Sequence, residues 1–338
     1  MTGTGPSDGP AAPVPVSVEV HLEPGFLRAA LEDDVRQGLL APAGQKRLPP
    51  VWFYDDRGSA LFDTITELPE YYPTRAERAL LQAHAGDVAS VAKAGTMVEL
   101  GAGTCDKSRI LIAALRAAGC LERYVPLDVS EATLRQAAGE LATAFPGLAV
   151  HAVVGDFHRH LDRLPAGGRT LVAFLGGTIG NLRPEHRRRF LADLDCHLEA
   201  GDSLLLGTDL VKDPARLVAA YDDAAGVTAD FNRNVLRVVN RELGGQLDPD
   251  GFAHVARWDP DHQWIEMRLR ALGPQRSRLH AIDAEVTFED GEELLTEISA
   301  KFTREQVEAE LWEAGFVVDA MWDQPGGEFL LTLASSSG

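Results

Sequence analysis

The sequence predicts an α/β protein built on a doubly wound, mainly parallel β-sheet. From residue 76 to residue 211, segments with the period of an amphipathic helix alternate with short, continuously apolar segments that are typical of buried parallel strands. The first such strand, TMVEL at 96–100, runs directly into a glycine-rich turn and then a helix. In open α/β sheets, ligands bind beyond the carboxyl ends of the strands. We therefore expect the functional residues just after each strand.

The predicted elements follow from this pattern in chain order. Helical patterns cover residues 77–92, 105–119, 130–145 and 184–200, and strand patterns cover residues 96–103, 123–130, 148–157, 170–182 and 202–211. After residue 211 the alternation stops: helices are predicted at 213–226 and 228–245, and strands that alternate polar and apolar residues within 252–272 and 280–302. Thr303 and Gln306 then form a capping-box pattern before a helix that stops at Gly315. Two final strands, at 316–323 and 327–334, predict an antiparallel hairpin that closes the sheet.

The break in the alternation predicts two lobes. The α/β domain is expected to comprise residues 76–211 and 301–338, and a second, α+β, substrate-binding lobe to comprise residues 16–75 and 212–300. The active site is expected between them, because ligand sites favour such junctions. Residues 1–15 are rich in proline and glycine and lack the basic and apolar regions of a signal peptide, so a disordered leader is expected there.

The composition favours a soluble, cytoplasmic protein that binds small molecules. The 338 residues are 45% hydrophobic and 25% charged, and the net charge of −19 disfavours a nucleic-acid or anionic-membrane partner. No apolar run approaches the roughly 20 residues that a membrane helix requires. Cys105, Cys120 and Cys196 are widely spaced, so reduced thiols are expected. The one basic run, HRRRF at 186–190, fits a solvated helix face.

The glycine turn, within VELGAGTCDKS at 98–108, fits neither familiar phosphate-binding loop. A P-loop requires glycine directly before Lys107, and the dinucleotide fingerprint requires its third glycine at the same position, where this chain has Asp106. A carboxylate there would repel a polyphosphate. A tight turn with acidic neighbours instead suits a ligand that is cationic or rich in hydroxyl groups.

The ends of the next strands carry residues that can bind such a ligand. Asp128 follows the second strand, where a carboxylate can accept from the two hydroxyls of a ribose. Asp156 and Phe157 follow the third strand, as an acceptor for an adenine amino group beside a ring that can stack. Each residue alone has an ordinary structural explanation, but their order on successive strands resembles the S-adenosylmethionine site of class I methyltransferases. The acidic loop fits, since a methyl sulfonium is cationic and the cofactor carries no phosphate.

Segments outside the cofactor motifs indicate which family of methyltransferases the sequence resembles. Residues 52–77, WFYDDRGSALFDTITELPEYYPTRAE, hold three tyrosines close to Arg75 and Glu77, which core packing alone does not explain. Together with ELGAGTCDKS, GGTIGN and TEISAKF, this segment resembles the histidine Nα-methyltransferases of ergothioneine biosynthesis. Those enzymes trimethylate the α-amine of histidine to give hercynine. The resemblance runs from residue 16 to the end of the chain and implies a Rossmann-like methyltransferase fold.

The resemblance also implies the site residues. The cofactor, S-adenosylmethionine, with S-adenosylhomocysteine as its product, would contact Tyr54, Gly101, Lys107, Asp128, Asp156 and Phe157. The substrate, L-histidine, would contact Tyr71, Gly176, Asn181, Tyr221, Met267, Glu297 and Ser299. By the same resemblance, Lys107 would bind the carboxylate of the methionine part, and Asn181 with Tyr221 the carboxylate of histidine. The imidazole would bind Glu297 and Ser299, with help from Tyr71 through water.

The residue chemistry agrees with these implied roles. A neutral imidazole has one donor and one acceptor, and Glu297 and Ser299 lie two apart on a predicted strand, which places them on one face. Tyr54 and Asn181 are the implied catalytic residues, and the Tyr54 hydroxyl is the best candidate to orient the α-amine and guide proton loss to water. Because methyl transfer to an amine is an in-line displacement, positioning is expected to supply most of the rate. Aromatic faces can stabilise the quaternary product.

Several alternatives remain open from the sequence. A related enzyme can act on another amino acid, since Met267 and Glu297 are among the few residues that shape the substrate slot. A nicotinamide-dependent dehydrogenase and a catalytically silent cofactor sensor are possible on the same sheet, although the missing third glycine counts against the former. His158 and His160 lie two apart, but no third ligand is evident, so a surface loop and no metal are expected. A monomer is expected from the resemblance.

Overall fold

The computed structural model describes residues 16–23, 25–163, 167–324 and 326–338, so the predicted leader and Pro325 in the final hairpin turn lie outside the described residues. The strands are β1 (Val16–Val20), β2 (Thr96–Leu100), β3 (Arg123–Asp128), β4 (Ala149–Val154), β5 (Thr170–Phe174), β6 (Ser203–Asp209), β7 (Phe252–Asp259), β8 (Trp264–Ala271), β9 (Gln275–Leu279), β10 (Ala284–Phe288), β11 (Glu293–Ala300), β12 (Phe316–Asp323) and β13 (Phe329–Ser336). The helices are α1 (Phe26–Asp34), α2 (Asp56–Glu67), α3 (Pro73–Ala92), α4 (Ser108–Ala117), α5 (Glu131–Ala144), α6 (Pro184–Asp195), α7 (Pro214–Tyr221), α8 (Val227–Leu243) and α9 (Arg304–Glu313).

The large sheet contains eight strands in the order β1-β4-β3-β2-β5-β6-β13-β12. The first six run parallel to one another, β13 pairs antiparallel with β6, and β12 pairs antiparallel with β13. The strand order reverses at β2, which lies between β3 and β5. This topology confirms the predicted α/β class, the mainly parallel sheet and the C-terminal hairpin, and it brings the carboxyl ends of β2, β3 and β5 together.

Apolar residues on the two faces of this sheet belong to two separate core clusters. Met97 of β2 lies in a cluster with Leu80 of α3 and Leu111 of α4, whereas its neighbour Val98 lies in a cluster with Leu191 of α6 and Leu311 of α9. Alternating side chains of a strand point to opposite faces, so each face is covered by its own helices. Continuously apolar strands are the expected consequence, as the sequence showed.

A second region follows β6. Helices α7 and α8 precede a three-stranded antiparallel sheet in the order β11-β8-β7, and β9 pairs with β10 in a separate antiparallel hairpin. The pairing of β11 with β8 is irregular between Leu295 and Glu297, after which Glu297 lies opposite Met267 and Ser299 opposite Ile265. The predicted helices and strands of this region are present, with β9 as an additional strand.

Two features differ from the sequence-based expectations. Strand β1 pairs in parallel with β4 at the edge of the large sheet, although residues 16–75 were assigned to the second lobe. In the HRRRF run, Arg187 is buried rather than solvated, and its guanidinium makes a bidentate contact with Glu310 of α9 at 2.5 and 2.6 Å. A paired arginine can be buried where an unpaired one cannot. The capping box of α9, Thr303 with Gln306, is present as predicted.

No helix among the described residues is long and apolar enough to cross a membrane.

Candidate active site

The glycine turn after β2 is held to the end of β3 by Asp128. The backbone N–H of Gly103 donates to Asp128 Oδ2 at 3.0 Å, and the N–H of Ser130 donates to Oδ1 at 3.0 Å. Gly101 and Gly103 have φ angles of 68° and 51°, in the left-handed region that favours glycine. Asp128 therefore fixes the loop and remains partly exposed beside it.

Phe157 lies next to this loop. A Cβ atom added to Gly101 would lie 3.9 Å from Phe157 Cε1, and the ring packs edge-on against Phe174 at a centroid distance of 5.3 Å. The carboxylate of Asp156 accepts from the N–H of His158 at 2.9 Å. The structure thus brings together Gly101, Asp128 and Phe157, three of the residues expected to bind the cofactor.

Lys107 and Gly176 meet at the buried carboxylate of Glu77, which the sequence analysis noted but did not assign to the site. The side chain of Glu77, on α3, is buried and forms an ion pair with Lys107 Nζ. It also accepts from the N–H of Gly176 at 2.8 and 3.0 Å. Glu77 therefore links the cofactor loop to the GGTIGN segment, and in this structure Lys107 has a protein carboxylate as its partner.

A second buried carboxyl group lies at the end of β2. Ser108 and Tyr124 both donate to Glu99. Burial raises the pKa of Glu99 to about 7, against the opposing effect of these donors. The charge of Lys107 lowers the pKa of Glu99 and that of Glu77 raises it, so both groups lie close enough to act on this carboxyl group.

The GGTIGN segment runs close to β11. Gly176 and Gly177 have φ angles of 80° and 68°, and residues Thr178–Asn181 then form a short 3-10 helix. A Cβ atom on Gly180 would lie 2.8 Å from the carbonyl oxygen of Ala300, so glycine permits this approach. Asn181 Nδ2 donates to Glu297 Oε1 at 3.1 Å and to the carbonyl oxygen of Ile298 at 2.8 Å. The segment after β5 is thereby joined to the second region.

Glu297 is the carboxylate at the centre of this junction. Burial raises its pKa to about 7, while the Asn181 hydrogen bond and the charge of Lys301 act in the opposite direction. Its partner across the β11–β8 pair, Met267, is 2% exposed and lies in the apolar core. The predicted slot therefore has an apolar wall at Met267 and a carboxyl group that changes charge near neutral pH.

Aromatic rings connect Tyr54 with Tyr221. The Tyr54 ring lies 5.5 Å from that of Phe62, the Phe62 ring 6.1 Å from that of Tyr71, and the Tyr71 ring 6.2 Å from that of Tyr221. Tyr54 is 45% exposed, but surrounding protein and, next, the charge of Glu297 raise its pKa well above 10. Its hydroxyl is therefore neutral at physiological pH and acts as a hydrogen-bonding group rather than as a phenolate.

Tyr221 and Ser299 are hydrogen-bonded to each other at 2.8 Å. The buried ammonium of Lys301 donates to both hydroxyls at 2.9 Å and lies 2.9 Å from Asp209 Oδ2. The Tyr72 hydroxyl also donates to Asp209. The structure thus joins a residue expected at the substrate carboxylate to one expected at the imidazole.

Sequence reasoning missed several residues of this network. Asp209 and Lys212 lie only three residues apart, but Tyr72 is 137 residues away from Asp209, and nothing in the local sequence marks the three as partners. For Lys301 a signal existed: it continues the alternation of Glu297 and Ser299 and so belongs to the same face. A lysine in that position on a mostly buried strand predicts a buried ion pair.

A metal site is not evident in the part of the chain that the structure describes, which holds no group of three or more His, Cys, Asp or Glu residues placed to bind one. His158 lies exposed in the turn after β4, and His160 is partly buried there. Their location agrees with the predicted surface loop.

Comparison with known proteins gives a consistent result. Residues 31–336 match a family model described as histidine-specific methyltransferase, SAM-dependent. The histidine N-alpha-methyltransferase of Mycolicibacterium smegmatis is 55% identical over 319 residues, which cover 94% of this chain and 99% of that protein. The protein of the same name from Mycobacterium tuberculosis is 53% identical and covers 95% of this chain and 99% of its own length. Ergothioneine biosynthesis protein 1 of Neurospora crassa is 34% identical over 206 residues, 60% of this chain and 23% of that protein.

Proposed function

This chain belongs to the family of histidine-specific, S-adenosylmethionine-dependent methyltransferases, and on that premise we propose that it transfers three methyl groups to the α-amine of L-histidine. The product would be hercynine, and the reaction the first step of ergothioneine biosynthesis. The observation that carries the proposal is the junction at β11, where Asn181 donates to Glu297 and Tyr221 bonds to Ser299. Four residues expected to bind one small amino acid converge there.

The residues around the glycine loop fit S-adenosylmethionine. The Asp128 carboxylate lies beside a loop that a ligand can approach closely at Gly101 and Gly103, and the Phe157 ring lies next to that loop. We assign Asp128 to the ribose hydroxyls and Asp156 with Phe157 to the adenine. Lys107 would bind the methionine carboxylate and retain Glu77 as its second partner. The bound cofactor supplies an electrophilic methyl group on a sulfonium.

The hydrogen bonds of Gly176 indicate how the α-amine is held. Its N–H is occupied by Glu77, so the group that it can offer to substrate is the carbonyl oxygen, which accepts from an amine N–H. The neutral Tyr54 hydroxyl offers a second hydrogen-bonding partner. Two contacts fix the direction of the nitrogen lone pair, which positioning catalysis requires.

The transfer step then needs little acid or base chemistry from the protein. The methyl group would come from the bound sulfonium, which would become a neutral thioether, so each transfer to an unprotonated amine would leave one extra proton on nitrogen. The extra proton on nitrogen passes to water along the Tyr54 hydroxyl, which accepts one hydrogen bond while donating another. After the third transfer no proton would remain, and we assign the adjacent rings of Tyr54 and Phe62 to stabilise the cation.

Product analysis tests the function directly. The purified protein is incubated with S-adenosylmethionine and, separately, with histidine, tryptophan or phenylalanine, and products are identified by mass spectrometry with fragmentation. Histidine that gains three methyl groups on its α-nitrogen is the expected result. Methylation of another amino acid but not of histidine would replace the proposed acceptor, and no methylated product in any reaction would overturn the proposal.

Three further assignments belong to this proposal. We propose that the enzyme acts in the cytoplasm, is monomeric and uses no metal. In support, all three cysteines are unpaired, and the acidic charge of the chain disfavours self-association through like-charged surfaces. Light scattering tests the monomeric state, and activity in the presence of a chelator tests the absence of a metal.

A further inference from the structure

Lys301 is a buried cation next to the substrate residues. It is 2% exposed, lies one residue beyond the end of β11, and follows Ser299 on the same face. An ammonium has three N–H donors, and Lys301 has three acceptors at 2.9 Å: the Tyr221 hydroxyl, the Ser299 hydroxyl and Asp209 Oδ2. Its hydrogen-bonding capacity is therefore fully used, and its orientation is fixed.

The three contacts determine what the two hydroxyls can offer a ligand. Both oxygens accept from Lys301, and one hydroxyl also donates to the other at 2.8 Å. The pair has two hydroxyl hydrogens, one of which is used between them. A single hydrogen therefore remains for the substrate. Without the ammonium, both hydroxyls could rotate and turn their lone pairs toward the ligand.

The cation itself is held from the opposite side. Asp209 is buried and contacts both Lys301 and Lys212, and the Tyr72 hydroxyl donates to the same carboxylate. Asp209 thus faces two ammonium groups, and that of Lys301 lies directly behind Tyr221 and Ser299, with Glu297 as the acidic group that Lys301 influences on β11. A positive charge there favours an anionic group of the ligand on the other side of the hydroxyls.

We propose that Lys301 is a positioning residue for the amino-acid substrate, acting through Tyr221 and Ser299. It fixes the direction of the one free hydroxyl hydrogen and places positive charge behind the position of the substrate carboxylate. The inference rests on the proposed function, because it takes an amino acid as the ligand of these hydroxyls. Its three polar partners among the described residues include no residue assigned to the cofactor, so its effect is expected at the acceptor.

The test separates the two ligands. Lys301→Met keeps the length and apolar stem of the side chain and removes its donors. We expect the KM for histidine to rise by about tenfold or more, as loss of two charge-assisted hydrogen bonds implies, while the Kd for S-adenosylhomocysteine changes by less than about threefold. Lys46→Met is the matched control, because Lys46 is also buried and paired with a carboxylate, that of Glu292. It is expected to leave the KM for histidine unchanged.

A second variant keeps the proposal testable if Lys301→Met does not fold. Lys301→Gln removes the positive charge and keeps one amide donor, and Asp209 stays paired with Lys212, so no carboxylate is left without a cation; the rise in KM is expected to persist. A KM within about threefold of wild type in either folded variant, or an equal loss of cofactor affinity, would overturn the proposal. Wild-type protein that makes no methylated histidine would overturn the proposed function itself, and would do so before any variant is compared.

Discussion

Asp128 has two roles at the level of single residues, because the carboxylate expected to bind ribose also holds the N–H groups of Gly103 and Ser130. Asp128→Ala removes both, so we expect the affinity for S-adenosylhomocysteine to fall by roughly a hundredfold in titration calorimetry. Asp128→Asn retains one carbonyl acceptor and is expected to lie between this variant and wild type.

Asp106→Ala serves as the control for Asp128. Asp106 is an acidic residue of the same loop, but its side chain is 62% exposed and its one hydrogen bond comes from Thr104. We expect its removal to change the affinity for S-adenosylhomocysteine by less than about threefold. Equal losses in Asp106→Ala and Asp128→Ala would show that loop charge, rather than a ribose contact, controls binding.

Glu297 makes the stability of the ligand-free protein depend on pH. Burial raises its pKa from 4.5 to about 7, so the folded state favours the protonated form. The stability that protonated Glu297 contributes to the folded state is fully present below pH 4.5 and is lost as pH rises through 7. Glu297→Gln cannot ionise. We expect its free energy of unfolding, relative to wild type, to increase by about 3 kcal/mol between acidic and mildly alkaline pH.

Denaturant titrations of wild type and Glu297→Gln, each at acidic and at mildly alkaline pH, measure this difference in the free energy of unfolding. Glu285→Gln is the comparison, because Glu285 lies exposed beside Arg276, which lowers the pKa of its carboxyl group. We expect no increase in the free energy of unfolding of Glu285→Gln, relative to wild type, at alkaline pH. If Glu297→Gln gained no stability at alkaline pH, the carboxyl group would have to be ionised without penalty in the folded state.

The residue types of the site could be read from the sequence, but their partners could not. Asp128, Glu297 and Ser299 lie beside recognisable motifs, and the strand period placed the last two on one face. Glu77 and Asp209 become site residues only through contacts with distant segments, to Lys107 and Lys301 respectively. A local pattern carries no information about such pairs.

At the level of elements, β6 approaches α3 so closely that only glycine fits at position 207. A Cβ atom there would lie 2.1 Å from Glu77 Oε1 and 3.2 Å from Phe329. Gly207→Ala must displace Glu77 from Lys107 and Gly176. We expect the free energy of unfolding to fall by roughly 3 kcal/mol and cofactor binding to weaken, since the displaced carboxylate loses its ion pair.

Gly139→Ala is the matched control for this substitution. Gly139 lies within α5, and a Cβ atom there would meet nothing within 4 Å. Alanine favours the helix by about 1 kcal/mol over glycine, so a small gain in stability is expected. Chemical denaturation and titration with S-adenosylhomocysteine measure both variants. Unchanged cofactor affinity in a folded Gly207→Ala protein would separate Glu77 from the cofactor site.

Two strands that the sequence failed to predict, β1 and β9, lie outside the interior of the large sheet. Strand β1, VSVEV, has the alternating pattern of a strand but is short and largely exposed, whereas β9, QRSRL, lacks an apolar pattern. Backbone pairing with β4 and with β10 holds them instead. By contrast, the inner strands of the large sheet are buried along their length and were predicted in order.

At the level of the whole molecule, the two predicted lobes share one apolar core. A single cluster of buried residues contains Leu80 and Leu111, which cover the large sheet, together with Phe252 and Met267 of the small sheet. The polar contacts from Asn181 to Glu297 and from Lys301 to Asp209 add a second connection. The lobes therefore stabilise each other, even though the chain pattern changes sharply at residue 211.

This shared core predicts that the protein unfolds in one step. Differential scanning calorimetry of the ligand-free protein should give a single transition whose calorimetric and van't Hoff enthalpies agree, because neither lobe keeps a complete core without the other. S-adenosylhomocysteine and histidine, each at about a hundred times its Kd, should each add about 2.7 kcal/mol and move the whole transition upward. Glu297→Ala should lose the shift caused by histidine and keep that caused by the cofactor product. Two resolved transitions, of which histidine moves only one, would contradict the single core and support lobes that fold independently.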